Sequence, residues 1–497
     1  MNCQFHSYWA GATVATLALV VSSFAADEKP QPLGLQEDGP FKKVILDQNP
    51  DLNPEGLKYP MELAAASDGR VFYIERDGRV KIIKPDGKVV LAGRLPVFDG
   101  LEDGMLGLTL DPNFAENNWI YLNRSLPEIF PDANGQKAGK IRSARFTMTG
   151  DTLDLASEKV LVEVQTQREQ CCHVGGSMAF DAQGNLYVAV GDNTNPFSDD
   201  TQTKGRDGFG PLDERPDRSP WDAQKSSANM NDLRGGVYRI HPEPDGTYTI
   251  PPGNLFPPGT PGTRPEVYTK GTRNSFRISV DQRSGFLYWG DVGPDAGSPS
   301  EKYGPAGFDE VNQARGPGFF GWPYFIADNK AYTDWDYATG TGAGKYDAGR
   351  AFNNSPNNTG VKELPAPQPA FIYYPHSPST RFPVVNAGGG RTAMAGPVYH
   401  FDENLKSPRK LPKKYDHHLF IYEWSRNWII AVKLDAQGNI VREGGKLAME
   451  RFCENMSFKR PMDLELGPDG CLYLAETGTA WSDNRDMQIS RIEYHGE

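Results

Sequence analysis

The chain repeats one pattern of hydrophobic and polar positions over most of its length. Each unit has an apolar run of strand length, an acidic or glycine-containing turn and a second apolar run that ends in polar residues, as in SMAFDAQGNLYVAVGDN. Asp-Gly and Gln-Gly turns between alternating apolar residues predict β-hairpins. Six such units begin at Met61, Leu106, Ser177, Arg277, His417 and Met462.

The repeat also predicts how the hairpins assemble. One hairpin is too small to bury its own apolar face, so neighbouring units must pack on one another. Six units favour an all-β fold, a six-bladed β-propeller, over the alternative of two separate β-sandwiches. Two long polar insertions, at 196–235 and 328–369, interrupt the repeat. We expect them to form walls over the mouth of the central channel, with disordered loops as the alternative.

The N-terminus has a different pattern. Residues 1–25 contain no Asp, Glu, Lys or Arg and include an apolar run that ends in small residues. This pattern predicts a secretory signal peptide cleaved after Ala25, and a secreted or periplasmic protein; a retained membrane anchor is the alternative. No later segment is long and apolar enough to span a bilayer. The predicted organisation is a signal peptide at 1–25, an N-terminal extension at 26–50 and the propeller at 51–497.

Charge narrows the range of partners. The formal net charge is −12, which argues against nucleic acid or an anionic membrane surface as a partner. An anionic ligand would therefore need its own local cluster of Arg or Lys side chains.

The cysteines suggest disulfides. Signal cleavage would remove Cys3 and leave Cys171, Cys172, Cys453 and Cys471. Four cysteines in a secreted chain are compatible with two disulfides, and three pairings are possible. The simplest pairing joins the last two cysteines, which flank one strand-like segment. It leaves the adjacent Cys171 and Cys172 to form a strained vicinal disulfide.

His173 directly follows this cysteine pair. The sequence CCH lacks the C-x-x-C-H spacing of haem attachment, and a zinc site would need more ligands nearby. An imidazole can act as a general base near neutral pH when a carboxylate orients its other nitrogen. Asp192 ends the same hairpin unit and could reach the same channel end. A structural histidine remains the alternative.

Several motifs together resemble one known family. EDGMLGLTLDPNF, HVGGSMAFDAQGNLYVAVGD, NDLRGGVYRI, GTRNSFRISVD, FFGWPYF and RPMDLELGPDGCLYLAET follow one another along the chain. In this order they are similar to the glucose/sorbosone dehydrogenases, which are secreted six-bladed propellers that use pyrroloquinoline quinone and calcium. The resemblance spans roughly residues 60–494.

The resemblance implies a role for individual residues. His173 matches the catalytic base and Asp192 the carboxylate that orients it. The residues that match cofactor-binding positions are Arg273, Asn274, Arg426 and Arg460. Gly293 and Pro294 match residues whose carbonyl oxygens hold the calcium ion. Two positions depart from the family pattern: Glu102 stands where a cofactor-binding Gln is usual, and Met462 replaces a second arginine of the last blade.

The implied function is the oxidation of a sugar or a related hydroxyl or aldehyde substrate by base-assisted hydride transfer to the quinone. The expected partners are a small sugar and an external electron acceptor. Since the same fold also occurs without enzyme activity, a propeller that binds a carbohydrate or a protein is an alternative. A calcium-dependent lactonase is a further alternative.

Overall fold

The computed structural model describes residues 35–197, 199–201, 203, 208–385, 390–480 and 484–496. The predicted signal peptide and Cys3 lie outside the described residues. Nearly all of the regular secondary structure in the described chain consists of β-strands, most of them antiparallel and in four- to six-stranded sheets. The prediction of a six-bladed β-propeller is confirmed.

The first three blades follow the first three predicted hairpins. Blade 1 contains the strands Pro60–Ala65, Val71–Glu75, Arg79–Ile83 and Val89–Arg94. Blade 2 contains Met105–Leu110, Trp119–Ser125, Lys137–Thr149 and Thr152–Gln167, with the short strand Phe130–Pro131. Blade 3 contains Gly175–Phe180, Leu186–Val190, Gly236–Pro242 and Val267–Lys270, with the short strands Tyr248–Thr249 and Gly318–Phe319.

The other three blades complete the ring. Blade 4 contains Ser275–Val280, Leu287–Asp291, Asp309–Ala314 and Ile372–Tyr374. Blade 5 contains Ala393–Tyr399, His418–Glu423, Trp428–Lys433 and Met449–Arg451. Blade 6 contains Pro461–Leu466, Leu472–Glu476, Gln488–Tyr494, Phe41–Gln48 and Leu35–Asp38. Each blade has one innermost strand, and each innermost strand contacts those of the two neighbouring blades, so that the six form a closed ring around the axis. The innermost strands are Pro60–Ala65, Met105–Leu110, Gly175–Phe180, Ser275–Val280, Ala393–Tyr399 and Pro461–Leu466.

The ends of the described chain close this ring. Phe41–Gln48 pairs antiparallel with Gln488–Tyr494, with Phe41 opposite Tyr494. The propeller therefore begins before residue 51, and the prediction of a separate extension up to residue 50 is wrong for the two strands between residues 35 and 48. The alternation of apolar and polar residues in these two strands does not by itself distinguish a blade strand from an extended tail. Pairing with the distant strand Gln488–Tyr494 makes them part of a blade.

The two insertions are folded where the structure describes them. The first contains the 3-10 turns Ser219–Trp221 and Ala223–Lys225. The second contains the short strands Lys330–Ala331, Thr333–Asp336 and Thr341–Lys345 and the 3-10 turn Ala348–Arg350. Apolar side chains of both insertions share one cluster, which includes Met230 and Trp335. This packing gives the insertions a common core of their own.

The remaining elements are short. They are the helix Phe114–Asn117, the 3-10 turns Pro383–Val385 and Lys413–Tyr415, and the strands Phe325–Ile326, Arg442–Glu443 and Lys446–Leu447. None of the described helices has the length and hydropathy needed to cross a membrane.

A single arginine links four blades at the propeller axis. The side chain of Arg277, from blade 4, is 1% exposed. Its Nε donates to the Met462 carbonyl at 3.0 Å, and its two Nη atoms donate to the carbonyls of Met61 and Leu106. Because these carbonyls belong to the innermost strands of blades 6, 1 and 2, one guanidinium holds the strands at the same level along the axis.

Buried acids surround this guanidinium. Glu62 accepts hydrogen bonds from the Ser177 hydroxyl of blade 3 and from the Leu108 amide of blade 2. Asp463 accepts from the Leu63 amide at 2.8 Å. Desolvation raises the pKa of Glu62 to about 8 and that of Asp463 to about 6, and the charge of Arg277 opposes both shifts. A buried polar network thus joins the innermost strands of the blades.

We predict that Arg277→Met destabilises the protein strongly. The substitution removes the only guanidinium of this described network and leaves buried carbonyl and carboxyl groups without their partner, which typically costs about 3–5 kcal/mol. Urea denaturation would measure the free energy of unfolding. The exposed Arg315 offers a matched control, and Arg315→Met should change the stability by less than about 0.5 kcal/mol. Equal stability of the two variants would contradict the role of Arg277.

Candidate active site

His173 lies at the start of the innermost strand of blade 3, in a strained backbone conformation. Its φ is +60°, a region that few residues other than glycine adopt. The His173 amide donates to Oε2 of Glu102 at 2.6 Å, and its carbonyl accepts from the Asn193 amide at 3.0 Å. These bonds fix the backbone on both sides of the ring. Glu102, predicted to contact a cofactor, therefore positions the histidine backbone.

Asp192 holds the imidazole from one side. Its Oδ1 lies 2.7 Å from Nδ1 of His173 and also accepts from the Thr194 amide at 2.9 Å. Its Oδ2 accepts from Nε1 of Trp322 at 2.8 Å. Since Asp192 is fully buried and accepts from two other donors, it favours a proton on Nδ1 of His173. Nε2 then carries the lone pair, and no described residue hydrogen-bonds to it.

Trp322 also contributes to the site, although no role was predicted for it. The residue lies in the quoted motif FFGWPYF, between the third and fourth strands of blade 4. Its ring packs in a cluster with Phe209 and Ala223 of the first insertion and Tyr332 of the second. The insertions therefore support the residue that orients Asp192, which is consistent with the expectation that they border the channel mouth.

A disulfide joins Cys171 and Cys172, immediately before His173. The expected second bond is absent, because Cys453 and Cys471 are free and buried. The two thiols lie in different hydrophobic clusters, and the Cys471 thiol donates to the Arg409 carbonyl at 3.3 Å. The two cysteines flank one predicted strand, but their side chains do not meet, because each packs in a different hydrophobic cluster.

Arg273 and Asn274 lie at the start of the innermost strand of blade 4. Their backbone amides donate to the Asp291 carboxyl group, and the Arg273 carbonyl accepts from the Asp192 amide at 2.8 Å. Nη1 of Arg273 donates to the Val292 carbonyl at 2.7 Å. In contrast, Nε of Arg273 and Oδ1 of Asn274 are buried without a hydrogen-bond partner among the described residues. Such atoms are uncommon in folded proteins and suit a ligand that would satisfy them.

Two buried acids lie beside this pair. Asp291 and Glu310 line a cavity of about 10 Å³ together with Arg273, Pro294 and Trp322. Desolvation raises the pKa of Asp291 to about 7 and that of Glu310 to about 8. The cavity connects the predicted quinone-binding arginine to the predicted calcium ligands and to the indole that contacts Asp192.

The predicted calcium ligands have an unexpected neighbour. The carbonyl of Pro294 accepts a hydrogen bond from Nη2 of Arg391 at 2.6 Å. Nε of Arg391 lies 3.7 Å from Asp309, whose Oδ1 accepts from the Gly293 amide. Nε and Nη1 of Arg391 are buried without a hydrogen-bond partner in the described part of the chain. Arg391 was missed, although it stands just before the first strand of blade 5, as Arg273 stands before that of blade 4.

The last two predicted arginines lie in blades 5 and 6. The guanidinium of Arg426 donates to the carbonyls of Gly390 and Pro375, both at 3.1 Å, and lies over the ring of Tyr374. The Arg460 guanidinium lies 4.5 Å from the centre of the Trp424 ring. Both side chains are partly exposed. The side chain of Met462, which stands where the family pattern has a second arginine, packs in the main hydrophobic cluster.

The structure therefore brings the predicted residues to a common region. Arg460 directly precedes an innermost strand, and His173, Arg273 and Arg391 each lie two residues before one. Because the innermost strands of a propeller run in the same direction, their starts meet at one end of the channel. Backbone hydrogen bonds join the segments of His173, Asp192 and Arg273 directly.

Comparison with known proteins identifies the family of the chain. The family model for Glucose / Sorbosone dehydrogenase matches residues 57–352, more than half of the chain. The chain belongs to the glucose/sorbosone dehydrogenase family. The family resemblance expected from the motifs is thereby confirmed.

Individual relatives are distant. The chain is 26% identical over 299 residues to the uncharacterized protein slr1608 of Synechocystis, which covers 58% of this chain and 62% of that protein. It is 24% identical over 234 residues to Aldose sugar dehydrogenase YliI of Escherichia coli, covering 47% of this chain and 49% of that enzyme. The chain thus spans about half to three-fifths of the length of these curated relatives.

A solved structure supports the fold over a larger part of the chain. The structure described as the PQQ-bound form of Aldose Sugar Dehydrogenase from Streptomyces coelicolor has a TM-score of 0.53 at 16% identity. The similarity covers 91% of this chain and 98% of that one. At this identity the likeness concerns the fold alone.

We predict that peptide mapping without reduction will recover Cys171 and Cys172 in one peptide that is lighter by two hydrogens than its reduced form. Alkylation of the unfolded, unreduced protein should label Cys453 and Cys471, since both are free thiols. Labelling of Cys171 or Cys172, or a peptide that links either of them to another cysteine, would contradict the structure.

Proposed function

We propose that this protein is a quinoprotein dehydrogenase that uses pyrroloquinoline quinone to oxidise an aldose sugar or a related hydroxyl compound. The observation that carries the proposal is the His173–Asp192 pair, with Nδ1 held by a buried carboxylate and Nε2 without a protein partner. The family membership and the aldose sugar dehydrogenase among the relatives support the same reaction class.

The residues around the pair fit the cofactor. Pyrroloquinoline quinone carries three carboxylates, so a protein with a net charge of −12 must supply cations locally. Arg273, Arg391, Arg426 and Arg460 could supply them. The unpartnered buried atoms of Arg273, Asn274 and Arg391 are groups that a polar, anionic ligand would satisfy.

His173 would act as the general base of the reaction. Its Nε2 takes the proton from the substrate hydroxyl, and Asp192 stabilises the imidazolium that forms. When bound, pyrroloquinoline quinone would accept the hydrogen of the adjacent carbon as a hydride, so that the substrate loses two electrons and two hydrogens in all. Trp322 keeps Asp192 in place. The electrons then pass to an external acceptor.

Calcium fits the carbonyls of Gly293 and Pro294 poorly. A calcium ion takes six to eight oxygen ligands, but the Pro294 carbonyl accepts from the guanidinium of Arg391. A divalent ion on the same oxygen would lie against a positive charge. We therefore assign no step of the reaction to a calcium ion at these carbonyls, and Arg391 provides a positive charge there.

The proposed location is outside the cytoplasm. It depends on the apolar segment within residues 1–25, which lies outside the described residues. A secreted or periplasmic site would also suit a disulfide next to the base.

We predict that His173→Asn lowers kcat by about 10²–10⁴, the usual contribution of a general base, while the affinity for pyrroloquinoline quinone changes little. The assay would load the purified protein with the cofactor and measure the turnover of a panel of aldoses with an artificial electron acceptor. His241→Asn is the matched control, since His241 lies at the end of a blade 3 strand and contacts Asn185; it should leave kcat unchanged.

Two outcomes would count against the proposal in different ways. Full activity of His173→Asn would remove the histidine from the mechanism but leave the dehydrogenase function. Absence of turnover by the loaded wild-type protein on every aldose would contradict the function itself and favour a propeller that only binds its ligand.

A further inference from the structure

A cluster of side chains that commonly bind metal ions lies at the end of blade 5 opposite to the candidate active site. His400 directly follows the strand Ala393–Tyr399, and His417 directly precedes the strand His418–Glu423. Tyr399 pairs with His418 in antiparallel register, so the two histidines face each other at the next position. Their rings are 4.9 Å apart between centroids.

A carboxylate completes the cluster. One ligand atom from each of His400, Asp416 and His417 lies within 4.8 Å of the other two. Oδ1 of Asp416 lies 3.9 Å from Nε2 of His417 and accepts a hydrogen bond from the Phe401 amide. This bond anchors the carboxylate on the loop between the two strands.

An outer carboxylate fixes the tautomer of His400. Nε2 of His400 lies 2.7 Å from Oδ1 of Asp281, which also accepts from the Arg283 amide, while Oδ2 accepts from the Ser284 hydroxyl. Because both oxygens of Asp281 accept hydrogen bonds from these other donors, the carboxylate acts as an acceptor towards His400 as well. The proton of His400 then lies on Nε2, which leaves the lone pair on Nδ1.

Nδ1 of His400 then has nothing to bind within the described chain. The atom is buried and has no hydrogen-bond partner there. A ring nitrogen with a free lone pair, whose opposite N–H is held by a carboxylate, is the usual arrangement of a histidine that ligates a metal. A histidine with a purely structural role would more often use both nitrogens.

We propose that His400, His417 and Asp416 bind a divalent transition-metal ion, with Asp281 as the outer carboxylate. Two imidazoles and one carboxylate suit zinc, and water can take the fourth position of a tetrahedral site. Asp281 belongs to the end of a blade 4 strand, whereas the three ligands belong to blade 5. The ion would therefore brace two neighbouring blades, roughly 20 Å along the strand from the candidate active site.

This site is independent of the proposed dehydrogenase function, and zinc itself is the probe. The full-length, tag-free protein would be treated with a chelator, dialysed and titrated with Zn²⁺ by calorimetry. We expect one equivalent to bind and the melting temperature to rise, since an ion that binds only the folded state stabilises it. His400→Ala and His417→Ala should each weaken zinc binding by at least about tenfold, and Asp281→Asn by about 10–100-fold.

Co²⁺ titration gives a readout of geometry, because the visible absorption of a four-coordinate Co²⁺ ion should appear in the wild-type protein and be lost in the His417→Ala variant. His241→Ala, which removes a histidine from blade 3, should bind zinc like the wild type. Failure of the wild-type protein to bind zinc, or unchanged zinc affinity in His417→Ala, would overturn the proposal. His417 is partly exposed, so its replacement tests the site even if the His400 variant does not fold.

Discussion

The guanidinium of Arg277 is the interaction on which the rest of the structure depends. Arg277 belongs to blade 4 and donates to carbonyl groups of blades 1, 2 and 6. These hydrogen bonds hold the innermost strands of the four blades at the same height along the propeller axis. Glu62 extends the same network to blade 3 through Ser177. With these strands aligned, the residues that precede them meet at one end of the channel, and those residues form the candidate active site.

Within that site, Asp192 has the central position. It is fully buried and connects the imidazole of His173, the indole of Trp322 and, through its amide, the backbone of Arg273. The first two contacts explain why the histidine presents Nε2 rather than Nδ1 to a ligand. The third couples the base to the segment that carries the unpartnered atoms of Arg273 and Asn274. The proposed base and the segment proposed to bind the cofactor are thereby held by one residue.

The sequence predicted the local parts of this account well. Hairpin turns between alternating apolar residues are local signals, and all six hairpins became blades. The pair His173 and Asp192 could be proposed because both belong to one hairpin unit. Contacts between distant segments were harder: Phe41 pairs with Tyr494 across almost the whole chain, and Trp322 reaches Asp192 from a segment 130 residues later. Cys453 and Cys471 form no disulfide, because two residues that are close in sequence can still pack in different hydrophobic clusters.

The surroundings of the proposed calcium ligands were also hard to foresee from the sequence. The motif around Gly293 and Pro294 is intact, but the cation beside it comes from Arg391, about a hundred residues later along the chain. A local motif identifies the carbonyl groups that could bind an ion, but it does not show which side chains of another blade contact those carbonyls. The unpartnered nitrogens of Arg391 indicate that this charge is available to an anionic ligand.

The most direct test of the central claim is a titration of the purified protein with pyrroloquinoline quinone, followed by the absorbance of the cofactor, with EDTA present throughout. The account predicts a spectral change that saturates at one cofactor per chain, because four arginines from blades 4, 5 and 6 supply the positive charge. Binding that appears only after calcium is added would return calcium to the site of Gly293 and Pro294. No binding with or without calcium would contradict the account.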